Sequence, residues 1–204
     1  MIEPFHIKNY CHIKKGAISL NGKVVYENTS TDFASFIKSA YTHFETDYSK
    51  FFKMDNLSKL AFMAAEMVLP AISSEEERNR AVVLSNRASS LDTDRKYQKS
   101  IADESNFYPS PAIFVYTLPN ICIGEISIRH KLHSENSFFI FEAFNAEYLE
   151  DYADNLLQTE KAEDVLCGWV DVDKDEYEAF LYIVAETGDH PHTKEEITRL
   201  YLTQ

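Results

Sequence analysis

The chain has 204 residues, 45% hydrophobic and 26% charged, enough for one domain, or at most two small ones, around a full apolar core. Its net charge of −13 argues against nucleic-acid binding, where Lys and Arg must neutralise phosphates, and against an anionic membrane surface. The first ten residues have no apolar core, and no run reaches the roughly 18 residues that span a bilayer, so no signal peptide or membrane segment is expected. Cys11, Cys122 and Cys167 are widely spaced and odd in number, which reads as free thiols in a reduced, cytoplasmic protein rather than a disulfide framework.

In chain order, residues 17–26 alternate around Asn21-Gly22, a hairpin signal. Thr31 or Asp32 can cap a helix holding Phe33, Phe36, Ile37 and Ala40. Met54-Asp55-Asn56-Leu57-Ser58 opens a second helix, with Leu57, Leu60, Ala61, Ala64, Met67 and Val68 at helical spacing and Pro70 as its stop. A charged connector at 75–80 leads to a short buried strand at 81–84, and a helix follows at 93–102. Pro109 and Pro111 break regular structure, and Pro119 suits the first turn of a helix with Ile121, Gly124, Ile128 and Leu132 on one face. Gly124 and Ser127 leave room there for a neighbouring backbone. A strand at 137–143 precedes a helix capped by Asn145 and running to Gln158. Strands at 165–172 and 178–186 pair, and a helix after Thr193 closes the order. Alternation of this kind argues for a layered α/β domain.

Three segments carry a family resemblance. They are Met54-Asp55-Asn56-Leu57-Ser58 with its helix, Ser90-Leu91-Asp92-Thr93-Asp94, and the stretch from Tyr108-Pro109-Ser110-Pro111 through Leu118-Pro119-Asn120 to Phe144. Together they resemble the N-terminal half of a β-ketoacyl synthase, most clearly over residues 54–171. The resemblance implies a thiolase-like half-fold, a mixed sheet with helices packed on it, as a single domain over residues 1–204. It also implies fatty-acid-like or polyketide biosynthesis of the polyene or resorcinol-lipid type.

Members of that family attack an acyl thioester with a thiolate at a helix N-terminus, where the dipole lowers the thiol pKa. Counting from Ser137, the nucleophile position falls on Phe144, which cannot form a thioester. The family's histidine motifs, carried by its C-terminal half, are also absent from the sequence. The resemblance therefore implies a non-catalytic accessory or interaction subunit that needs no cofactor. The family's dimer strand corresponds to Phe138, Phe139, Ile140 and Phe141, which predicts a homodimer or a heterodimer with a full-length ketosynthase. Arg129, His130 and Lys131 are the candidate contact for an acidic acyl carrier protein; the plainer reading is a set of solvated cations at a helix C-terminus.

Two alternatives stay open: an enzyme acting on acyl thioesters without a cysteine nucleophile, and a module that binds an acyl ligand. Asn86, Arg87, Asn120 and Glu142 lie near strand ends and are the candidate pocket residues. Cys122 and Cys167 read as inert buried fillers and Cys11-His12 as a surface pair. Asp189-His190-Pro191-His192 offers two histidines without a clear third or fourth ligand, so it reads as a polar turn before a capping box rather than a metal site. In the helix after Asn145, Glu147, Glu150, Asp151 and Asp154 oppose an apolar face, and that acidic side is expected to meet water or a basic partner.

Overall fold

A computed structural model describes residues 5–28, 32–69 and 79–203. The elements run β1 (His6–Lys14), β2 (Ala17–Leu20), β3 (Lys23–Glu27), α1 (Phe33–His43), α2 (Asn56–Val68), β4 (Arg80–Asn86), α3 (Leu91–Ile101) and α4 (Pro111–Phe114). They continue with α5 (Ile121–His130), β5 (Asn136–Ile140), α6 (Ala146–Gln158), β6 (Asp164–Asp173), β7 (Glu176–Ala185), β8 (His190–Pro191) and α7 (Lys194–Leu202). The strands form one mixed sheet in the order β3-β2-β1-β7-β6-β4-β5, with β8 paired to β1. β4 is parallel to β5 and β6, and the remaining pairs are antiparallel.

Strand alternation sends successive side chains to opposite faces, and helices cover both. On one face α1, α2 and α5 pack over Ile13, Leu84, Leu166 and Leu181. On the other, α6 and α7 pack over Val83, Val165, Phe180 and Val184. Two sites fix the centre. Arg80 and Asp164, each about 5% exposed or less, form a buried bidentate ion pair between β4 and β6. Gly168 on β6 allows β7 to approach: a Cβ there would lie 2.1 Å from the Phe180 carbonyl oxygen.

Most of the expected elements are present. Asn21 and Gly22 both have positive φ, as the two-residue turn between β2 and β3 requires. Asp32, Asp55, Asn145 and Thr193 cap α1, α2, α6 and α7 through their side chains. Thr31, the Pro70 stop and most of the 75–80 connector lie outside the described residues.

Three readings are corrected. β1 was not anticipated, because a bulge between Ile7 and Asn9 puts Ile7 and Tyr10 on one face and Cys11 and Ile13 on the other, which hides the period-2 signal. Cys11 and His12 are consequently not a surface pair: they are 0% and 6% exposed within the sheet. In α5 the buried face is Cys122, Ile123, Glu125 and Ile126, while Ile128 is 63% exposed and a Cβ on Gly124 would touch nothing within 4 Å. Buried Glu125 accepts the Tyr116 hydroxyl and pairs with Lys50, each at 2.9 Å.

Among the described residues no single helix is long and apolar enough to cross a membrane.

Candidate functional site

β5 runs parallel to β4 and ends at Ile140, shorter than the expected 137–143 strand. The ladder closes where the Phe141 N–H donates to the Asn86 carbonyl at 2.9 Å, because β4 also ends there. The chain then passes Glu142 and Ala143 to Phe144, two residues before α6 begins. Phe144 is half-buried. Its ring lies 4.2 Å from that of Tyr201 on α7, 5.7 Å from Phe180 and 6.2 Å from Trp169.

Phe144 forms part of the wall of a cavity of about 720 Å³. The cavity opens between the β1–β2 turn, the end of β3, the tip of β5 and the β6–β7 hairpin. Of the four pocket residues anticipated, Arg87 and Glu142 line it. Asn86 does not; it is fully buried and braces the turn after β4, bonding the Ser89 N–H and carbonyl at 2.9 Å each. Asn120 is also elsewhere, at the start of α5. The cavity residues contributed by β1 and by the Lys15-Gly16 turn were missed, although two consecutive positive φ values mark that turn as a second hairpin. The Lys-Gly pair was its only sequence signal.

No cysteine lines the cavity at this tip. Cys11, Cys122 and Cys167 are free and at most 1% exposed, and burial pushes all three thiols well above their ordinary range. Thiolate chemistry at neutral pH is therefore suppressed in each. His12 lies on the same aromatic cluster, 4.6 Å from Phe180 and 5.9 Å from Tyr201 by ring centroids. Burial depresses its pKa to about 4, and neither ring nitrogen has a partner among the described residues.

The proposed carrier-contact cations are not equivalent. Arg129 (3.2 Å) and His130 (2.7 Å) both turn onto Glu66 of α2. Burial raises the Glu66 pKa, but hydrogen bonds and charge from His130 and Arg129 outweigh that and hold its carboxyl below the usual range. Lys131 alone stays exposed.

The acidic side of α6 meets the chain's own C-terminal segment. Glu147 pairs with the Lys194 ammonium at 2.6 Å, Glu150 accepts the Lys194 backbone N–H at 2.7 Å, and Asp154 bonds His192 at 2.7 Å. His190 pairs with Glu196 at 2.8 Å. The segment expected as a polar turn instead pairs with β1 as β8, and His190 and the buried His192 serve docking of α7 on the body; the expected basic partner of α6 is in part internal.

A mixed sheet with helices on both faces, whose parallel strand tip leads into a helix, makes this a layered α/β fold, and the solved structures it resembles give it the thiolase-like form of ketosynthases. No family model and no curated protein matches the sequence. Among solved structures, the chain is similar to the ishigamide ketosynthase/chain length factor, with a TM-score of 0.66 and 16% identity over 92% of this chain and 64% of that one. It is similar to a chain of the complex of ketosynthase ApeO with its chain length factor ApeC from Xenorhabdus doucetiae (TM-score 0.59, 13% identity, 97% of this chain and 90% of that one). A β-ketoacyl synthase from Burkholderia phymatum gives a TM-score of 0.60 at 11% identity over 91% of this chain. This chain spans 64% and 60% of the first and third matches but 90% of the second. These likenesses establish the fold.

Proposed function

We propose that residues 1–204 form one ketosynthase-like unit acting as a non-catalytic subunit in polyketide or fatty-acid-like biosynthesis, paired through β5 with a full-length ketosynthase or with a second copy. The observation that carries this reading is Phe144. By the resemblance it stands at the nucleophile position, and all three thiols lie buried elsewhere. A ketosynthase held with its chain length factor, as in the ApeO–ApeC complex, is the kind of assembly the reading invokes.

β5 supports the pairing. It is the last strand of the sheet, so one side of its ladder is open. The Phe141 N–H points inward to β4, and strand alternation therefore turns the N–H groups of Phe138 and Ile140 outward. Such an edge invites a further strand. Phe139 is fixed from behind by Tyr148 and Tyr152 at 4.8 and 5.1 Å, which gives the edge a stiff backing. With Arg129 and His130 committed to Glu66, the acyl carrier contact falls to the partner subunit in this proposal. The buried free thiols fit a cytoplasmic setting.

Analytical ultracentrifugation of the purified chain, alone and mixed with a type II ketosynthase from a polyene pathway, tests the reading. The expected result is a dimer in at least one arm that is lost in Ile140→Pro, which blocks an outward N–H without touching the β4 ladder. A monomer in both arms, or a dimer indifferent to the substitution, contradicts it.

A further inference from the structure

The cavity beside Phe144 has a composition that the accessory-subunit reading does not use. Its lining holds six carboxylates and three cationic side chains. Two of the cations are already matched: Lys14 pairs with Glu178, and Arg87 lies 3.6 Å from Asp171. Asp171 also accepts the backbone N–H groups of Arg87 and Ala88, so it is tied to the wall. Glu27, Glu142, Asp175 and Glu176 remain, all exposed and without a partner among the described residues, against the single cation Lys15. Carboxylates around one opening act together over a Debye length of about 8 Å, so the mouth attracts cations and repels anions.

The wall beneath is aromatic. Phe144, Trp169, Tyr177 and Tyr201 all line the cavity. Tyr201 is held in place by its hydroxyl, which donates to Glu178 at 2.8 Å, and Tyr177 by the Gly16 N–H, which donates to its hydroxyl at 2.8 Å. Behind Tyr201 stands His12, whose burial keeps it neutral, so this imidazole does not offset the carboxylates from below. Aromatic faces attract cations more strongly as the cation is desolvated, and an apolar stem adds area burial.

We propose that this cavity is a binding site for an organic cation, an alkyl amine or guanidinium compound, with its stem on the Phe144–Tyr201 wall and its charge among Glu142, Glu176 and Glu27. A fatty carboxylate or a phosphate-bearing arm of the same length is disfavoured there by the same field. The site is built entirely from this chain and does not depend on β5 pairing.

Trp169 is the chain's one tryptophan, so its fluorescence reports on the cavity directly. The test titrates hexylammonium, hexylguanidinium, hexanol and hexanoate into the full chain at low and high salt, with calorimetry as a second readout. The two cations are expected to bind about tenfold more tightly than hexanoate and to weaken with salt. The double substitution Glu142→Gln/Glu176→Gln, at exposed positions, is expected to cost about fivefold in cation affinity, with its melting temperature unchanged. Phe144→Leu is expected to cost a similar factor. Hexanol or hexanoate binding as tightly as the amine, no binding of any probe, or cation affinity indifferent to the double substitution would each overturn the proposal. Sedimentation reads β5 pairing separately, so the two proposals fail independently.

Discussion

The centre of the sheet and its β5 edge are built to different standards. At the centre, β6 and β7 approach so closely that only glycine fits at position 168, and the charges of Arg80 and Asp164 are satisfied by each other out of reach of water. At the edge, β5 offers Asn136, Ser137, Phe138, Phe139 and Ile140 with no charged side chain, and Ile140 is 49% exposed. The opposite edge strand, β3, carries Lys23 and Glu27 beside its exposed valines, and it is itself bulged at Val25 where it pairs with β2. Charge and bulges are ordinary protection for a free edge. The proposed pairing of β5, with β3 left to water, would require a difference of this kind.

Substitutions at the centre should cost most. Asp164→Ala leaves Arg80 buried and uncompensated, and urea denaturation is expected to show a loss of about 3–5 kcal/mol. Gly168→Ala forces a Cβ into the β7 backbone and should cost about 3 kcal/mol by the same measurement. Partial unfolding of either variant at room temperature would agree with these values; wild-type midpoints would mean that the centre is not packed as described.

His12 sharpens the comparison through pH. Its folded pKa of about 4 lies below the ordinary 6.5, so the unfolded chain takes up the proton first as pH falls. The contribution is fully present above about pH 6.5 and is lost as pH falls towards 4; its limit is on the order of 3 kcal/mol. His12→Phe removes this slope. The variant should match the wild type near pH 7 and be more stable at about pH 4.5. Parallel denaturation curves at both pH values would show that His12 is not buried neutral.

At the edge, the effect on stability is expected to be smallest. Ile140→Pro should leave the monomer within about 0.5 kcal/mol of the wild type, the range of ordinary surface changes, while removing association. Val24→Lys on β3 should change neither. If Val24→Lys dissociates the assembly and Ile140→Pro does not, the roles of the two edges are reversed.

Much of this arrangement was legible in the sequence. Asn21-Gly22, the caps Asp32, Asn145 and Thr193, and the β6–β7 pair follow from local chemistry that tertiary packing did not override. The errors arose where tertiary context did override it. The bulge at Ile7/Asn9 erased the alternation of β1, so a strand with Ile7 and residues 10–13 buried looked like an irregular polar segment. The buried face of α5 was read as Ile121, Gly124, Ile128 and Leu132, and nothing local marked Glu125 as buried, because its partners Tyr116 and Lys50 come from outside the helix. The acidic face of α6 was read correctly as polar, but its local partners Lys194 and His192 lie some forty residues further on. In the candidate site, Glu142 and Arg87 were found because strand tips are where such chains gather polar groups. The β1–β2 turn and Tyr201, which complete the cavity, gave no local sign of their convergence.

The proposed function requires that the tip after β5 carry no usable nucleophile. Its most direct test is intact-mass spectrometry of the native chain after prolonged incubation with an acyl thioester, with iodoacetamide labelling in parallel. The expected result is an unmodified mass and cysteines that react only after denaturation. A stoichiometric acyl adduct, on a cysteine or on any other side chain, would contradict it.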